Sequence, residues 1–239
     1  MSNKKHRLDR FISAKTGTPK SEVRLMLAQK RIHVDGQLAT DINQPIDQFS
    51  HVVLDDTALQ NNTRRYIMMN KPIGVVSATK DEQHKTVMDL LVEKNINTDD
   101  LHIVGRLDLN SSGLLLITND GDWSRALMSP ENKVAKVYEV TLEHPITDEC
   151  IQAFADGMYF SYEDITTKPA KLERISERVA KVTLEEGRYH QIKRMFGRFR
   201  NPVLALHRVS IGEIKLDAVL APGECRGLRE NEKIYNNLI

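Results

Sequence analysis

Cysteine is nearly absent from the chain: Cys150 and Cys225 stand alone, with no C-x-x-C partner and no clustered histidine. A disulfide framework and a zinc site of the usual spacing are both excluded. No stretch reaches the roughly 18 apolar residues of a membrane span. The start, Met1-Ser-Asn-Lys-Lys-His-Arg, is basic but leads into no apolar signal core, so nothing marks export and a cytoplasmic location is expected. The Asn-x-Ser/Thr triplets at Asn61 and Asn110 are then chance matches. Internal repeats and low-complexity tracts are missing. So are the carboxylate and histidine clusters of a metal-dependent nuclease. No cofactor and no metal are expected.

What is present is a chain long enough for two domains, on a prior of ~100–200 residues each. With 40% apolar and 28% charged residues, it can bury a core beneath a solvated surface. The net charge of +1 conceals a division. Residues 1–31 carry nine Lys and Arg against Asp9 and Glu22, a local +7, while residues 32–60 carry five Asp and no Lys or Arg. Taken alone, such a run is a solvated helix face. On a small separate domain it becomes a patch that concentrates a polyanion, with Arg7, Arg10, Arg24, Lys30 and Arg31 as candidate phosphate contacts.

Leu8, Phe11 and Ile12, then Val23, Leu25, Met26 and Leu27, predict two short amphipathic helices broken at Thr16-Gly17-Thr18-Pro19. Ser21 is a candidate cap for the second. Arg31–Val34 alternates as a strand, Asp35-Gly36 turns it into a hairpin, and residues 51–55 supply another strand. Residues 1–60 thus form a small module, and 61–65 a polar linker. From residue 66 to 239, strands and modest helices intermix. Strands are expected at 66–70, 101–104, 114–118, 136–142, 180–184, 203–209 and 211–216. Helices are expected at 87–92 behind Thr86, at 147–155 ending before Gly157, and at 189–199. The fold class is α+β, with a central antiparallel or mixed sheet flanked by helices.

Gly105-Arg106-Leu107-Asp108 lies on a loop between two apolar strands, which would hold a carboxylate rigidly while leaving its oxygens reachable. Alone, with Asn110-Ser111-Ser112-Gly113 behind it, Asp108 reads as a turn carboxylate accepting backbone hydrogen bonds. Tyr138 alone is an ordinary half-buried strand residue, and Arg106 a salt-bridged loop residue. The whole run from Gly105 to Gly121, however, resembles the G-R-L-D-x-x-T-S-G-L-L-L-L-T-N-D-G signature of the pseudouridine synthases. Lys71-Pro72-x-Gly74 resembles that family's upstream motif, Lys136-x-Tyr138 the next, and Glu186–Met195 the last. The helix–helix–hairpin–strand order of the first 60 residues resembles the S4 RNA-binding domain. The likeness is nearest to the small-subunit branch, the 16S rRNA uridine-516 synthases, because Tyr189-His190 and Lys193 fit it. Ser111 departs from the pattern by replacing Thr but keeps the hydroxyl. The tail around Cys225 follows its pattern loosely.

The resemblance implies an isomerase that breaks the C1′–N1 bond of a uridine, turns the base and joins C1′ to C5. Asp108 would act ionised, either as nucleophile or as the base that yields a glycal. Arg188 would stand within ~4–6 Å and keep Asp108 charged. Tyr138 would stack on the flipped base, and Arg106 would fill the space it leaves. Lys71, Lys136, His190, Gln191, Lys193 and Arg194 complete the expected substrate contacts; for His190 a structural pairing with a neighbouring glutamate competes. The partner implied is ribosomal RNA, met by a monomer without a membrane. Two other functions fit the same features: a 23S rRNA synthase of the same chemistry, and a non-catalytic S4-type assembly factor.

Overall fold

The computed structural model describes residues 5–233. It divides into two compact units, one of the residues up to Arg65 with Asp120–Asp122, the other of the remainder. Among the described residues no helix is long and apolar enough to cross a membrane.

In the first unit, α1 (Leu8–Thr16) and α2 (Lys20–Ala28) pack beside a four-stranded antiparallel sheet. Its strands are β1 (Ile32–Val34), β2 (Gln37–Leu38), β3 (Val52–Leu54) and β4 (Thr57–Gln60), in the order β2-β1-β3-β4. Leu8, Ile12, Val23, Ile32 and Val52 are wholly buried between the two layers. Gly17, left-handed at φ 73°, ends α1 and returns its N–H to Ser13 O. Asp35 and Gly36 both take positive φ, as a tight hairpin with the right-handed twist of its strands requires. The expected cap at Ser21 is corrected. Pro19, already fixed near φ −60°, is the N-cap residue, and the helix starts at Lys20. Leu25, expected on the apolar face of α2, is 61% exposed.

The second unit is built on a nine-stranded mixed sheet. Its elements in chain order are β5 (Tyr66–Lys71), α3 (Val87–Val92), β6 (His102–Val104), β7 (Ser112–Thr118), α4 (Gly121–Met128), β8 (Lys136–Leu142), α5 (Asp148–Asp156), β9 (Lys171–Arg174), β10 (Val179–Leu184), α6 (Gln191–Gly197), β11 (Val203–Ile211), β12 (Ile214–Lys215) and β13 (Cys225–Gly227). The strand order is β9-β10-β8-β11-β7-β5-β13, with β12 beside β11 and β6 beside β7. All pairs are antiparallel except β11 with β7.

Both faces of the sheet are covered, which is why Leu114–Ile117 is a continuous apolar run. Leu115 and Ile117 join the core that includes Phe154 and Phe196, while Leu114 and Leu116 join Trp123 and Leu127 of α4. Thr86 caps α3 through a reciprocal pair with Asp89, and Thr147 caps α5. Two expected boundaries change. The helix expected over 189–199 is confined to Gln191–Gly197, because His190 is left-handed at φ 48° and cannot extend it. The strands expected at 203–209 and 211–216 are one strand through Ile211 and a two-residue return after Gly212.

The position of the Asp108 loop follows from how β7 shares its edges. One edge pairs with β5 along its whole length, Tyr66↔Thr118 to Lys71↔Gly113. The other edge is divided: β6 occupies the Thr118–Leu116 end, and β11 pairs only at Ser112 and Gly113. Residues 105–111, which connect β6 back to β7, emerge at that division.

Candidate active site

The loop is clamped at nearly every residue. Arg208 of β11, 1% exposed, donates through Nε to Leu114 O at 2.8 Å and through a terminal nitrogen to Gly105 O. The Ser77 hydroxyl donates to Leu107 O (2.8 Å) and accepts from Leu107 N (3.1 Å). Gly74, at φ 82°, donates its N–H to Leu109 O, and Ser111 N closes a turn on Asp108 O. Lys71 Nζ donates to Ser111 O at 2.8 Å and to Pro72 O at 2.9 Å. Gly113 must be glycine. Its φ is +104°, and a Cβ there would lie 2.3 Å from Arg208 O across the parallel pair.

These clamps hold the backbone of the loop and leave the Asp108 side chain open to the cleft. Its carboxylate is 31% exposed, with Oδ2 3.3 Å from His190 Nε2 and 3.4 Å from Lys193 Nζ. It lines a cleft of about 390 Å³ with Tyr138, Lys136, Arg106 and Arg208, and a second, adjoining hollow with Tyr189. The Tyr138 ring lies 6.0 Å from the Arg208 guanidinium carbon. Tyr189, 75% exposed, stacks on the His190 ring at 3.8 Å.

The cation beside Asp108 is not the expected one. Arg188 lines the same cleft, but its Nε bonds Glu186 at 3.0 Å, while Lys193 and His190 are the cations within ion-pair distance of the carboxylate. His190 reaches Asp108 as the left-handed residue just before α6, and Lys193 from the first turn of that helix. One substrate contact expected from sequence is corrected. Lys71 is fully buried beneath the loop, and burial pushes its ammonium down to about 8; Asp108 opposes that shift, whereas Arg208 and Lys193 add to it. Gln191, largely buried, lines the cleft while donating to Glu186 Oε1 at 2.6 Å and accepting from Arg188 N. Glu186 also accepts from Lys168 N, so it ties the Gly187–His190 turn to the neighbouring chain. Arg194 is paired with Glu163 and lies over the Phe160 ring at 4.4 Å, outside the cleft lining.

In the first unit Arg7 pairs with Asp9 and Arg31 with Asp55, each within 3 Å. Arg10, Lys15, Lys20, Arg24 and Lys30 are exposed. Among the described residues no group of three or more His, Cys, Asp or Glu is placed to hold a metal ion. Ser77, Glu186 and Arg208 were not singled out from sequence. The one signal for Arg208 was an arginine inside a largely apolar strand.

Residues 65–197 match the family described as RNA pseudouridylate synthase. The chain is 48% identical over 227 residues to the ribosomal small subunit pseudouridine synthase A of Pseudomonas aeruginosa, covering 95% of this chain and 98% of that one. It is 42% identical to the protein of the same name from Escherichia coli, covering 95% and 97%. A crystal structure of a pseudouridylate synthase superposes with a TM-score of 0.67 at 35% identity, over 95% of this chain and 97% of the other. With the signature loop lining the cleft and these matches running along nearly the whole chain, the chain belongs to the RNA pseudouridylate synthase family.

Proposed function

We propose that this protein converts one uridine of small-subunit ribosomal RNA, uridine 516 of 16S rRNA, into pseudouridine, acting as a cytoplasmic monomer. The observation that carries the reading is the Asp108 carboxylate, which lines a cleft from a clamped loop, with an aromatic ring and cations around it. The product is an isomer of the substrate, so the reaction needs no donor, oxidant or water. Asp108, with Lys193 and His190 beside its carboxylate, serves as nucleophile at C1′ or as the base that opens the glycal route. The target base must leave its stack, at an order-of-magnitude cost of a few kcal/mol. Tyr138 offsets part of this by stacking on the base, worth roughly 1–3 kcal/mol. Arg106, exposed at the cleft rim, occupies the vacated space.

The first unit, with Arg10, Arg24 and Lys30 exposed, is an S4-like module that holds phosphates while the second unit does the chemistry. Arg188, bound to Glu186, acts through the Gly187–His190 turn rather than on Asp108. The test replaces the charge but keeps the shape, Asp108→Asn, and measures tritium release from 5-labelled uridine RNA. Pseudouridine formation is abolished while RNA binding stays within a few fold. A variant retaining more than a tenth of the wild-type rate refutes the assignment. Chemical mapping of pseudouridine in rRNA from cells lacking the protein identifies the target nucleotide.

A further inference from the structure

Three cations lie buried around the Asp108 loop: Lys71 at 0%, Arg208 at 1% and Lys136 at 6% exposure. None has a carboxylate within ion-pair distance among the described residues; each is held by backbone carbonyls instead. A buried charge without a counter-charge is costly, and ordinary folding removes such groups. Lys71 is sealed beneath the loop. Lys136 and Arg208, by contrast, both line the cleft, on the neighbouring strands β8 and β11.

Each also has donors to spare. Lys136 Nζ spends one on Val134 O (3.1 Å), and an ammonium has three. Arg208 spends Nε and one terminal nitrogen on the loop, while its other terminal nitrogen has no partner among the described residues. The acidic groups facing the cleft are Asp108, Glu185 and Glu186. Asp108 is matched by Lys193 and His190, Glu186 is saturated, and Glu185 is exposed. The cleft therefore keeps a pair of desolvated cations beside Tyr138 with no protein anion assigned to them.

The reaction supplies an anion there. When C1′–N1 breaks heterolytically, both electrons stay on the base, which leaves as uracilate with its charge spread over N1 and the carbonyl oxygens. After the base turns, C5 attacks C1′, the C5 proton departs to solvent, and N1 recovers a proton, so charge and atoms balance without a co-reactant. We infer that Lys136 and Arg208 form the anion subsite that holds the detached uracilate, stabilising it through cleavage and rotation. This inference rests on the pseudouridine synthase reading above. Donors aimed at charge that develops only during the reaction act on rate rather than affinity, and losing one slows the step on the order of 10²-fold.

The experiment compares wild type, Lys136→Met and Arg208→Lys in single turnover at saturating RNA. One substrate carries uridine at the target and the other 5-fluorouridine, whose base is the better-stabilised anion and the better leaving group. Loss of the N1-linked nucleoside, rather than pseudouridine formation, is followed by nucleoside analysis, because C5 of the fluorinated base carries no proton to lose, and RNA affinity is measured in parallel. Lys136→Met slows uridine conversion about 10²-fold at unchanged affinity, and the deficit shrinks below tenfold on 5-fluorouridine. Arg208→Lys, which keeps the charge but not the fork holding the loop, shows the same narrowing if circular dichroism reports it folded. Equal deficits on both bases overturn the inference, as does weakened RNA binding with an unchanged saturated rate, the result expected of a phosphate site. Failure of wild type to form any pseudouridine would instead refute the functional reading itself.

Discussion

Ser77→Ala removes one oxygen and disarms both backbone groups of Leu107, the residue before Asp108. The hydroxyl is the hydrogen-bond partner of Leu107 N–H and C=O alike, and Ser77 and Leu107 are only 5% and 7% exposed. Leaving a buried donor and acceptor unpaired costs about 1–3 kcal/mol each, so a loss of about 2–4 kcal/mol is expected after partial relaxation. The kinetic effect is the sharper test, because an Asp108 displaced by about 1 Å from its target lowers the rate on the order of 10²-fold. Urea unfolding measures the first quantity, and single-turnover tritium release at saturating RNA the second. Affinity for RNA stays unchanged, and Ser77→Thr, which restores a hydroxyl, recovers most of both losses. If Ser77→Ala unfolds at the wild-type midpoint and turns over at the wild-type rate, the clasp does not position Asp108.

Gly113→Ala puts a Cβ 2.3 Å from Arg208 O at a φ of +104°, so it destabilises the second unit by about 3 kcal/mol or more, read as a lower urea midpoint. Lys71 has a folded-state value of about 8 against 10.5 for the free side chain. Between those values the unfolded chain binds the extra proton, so the destabilisation from Lys71 is fully present below pH 8 and fades as pH rises to 10.5. The stability of wild type relative to Lys71→Met therefore climbs by about 3 kcal/mol across that window, and a flat difference curve contradicts the assignment. The double variant Arg10→Gln/Arg24→Gln weakens RNA binding and lowers its log–log salt slope by roughly 0.7–0.9 for each phosphate no longer neutralised, leaving the saturated rate intact. A fall in that rate at unchanged slope contradicts the division of labour between the units.

The signature loop was legible because its chemistry is contiguous: Gly105 to Gly121 carries the strand, the turn and the carboxylate in one stretch. Helix α3 was legible for a similar reason, since Thr86 and Asp89 cap it locally. The partners of Asp108 were not. Lys193 is 85 residues away, and no local pattern says that it, rather than Arg188, comes within ion-pair distance of the carboxylate. Arg208 is 103 residues from Gly105, and no local pattern announces that a strand arginine clamps a distant loop. Helix α4 escaped notice because Asn119-Asp120-Gly121 has the composition of a turn and the helix starts at that glycine. Lys71 and Lys136 are both lysines in motifs, yet one is sealed under the loop and the other opens on the cleft. That distinction is set by the strand that each occupies and its neighbours.

The shared edge of β7 also bears on when the enzyme comes into being. Strands β5, β6 and β7 and the Asp108 loop are all made by residue 118, but the far half of the edge waits for β11, and the clamp on Gly105 waits for Arg208. Pairings across such separations close late, after the local hairpins and helices have formed. A growing chain therefore holds the Asp108 carboxylate on a loop tethered only from upstream, by Lys71, Gly74 and Ser77, for some ninety residues of synthesis. Reactivity arrives together with the last parallel pairing, so an unfinished or misassembled second unit is inert rather than promiscuous.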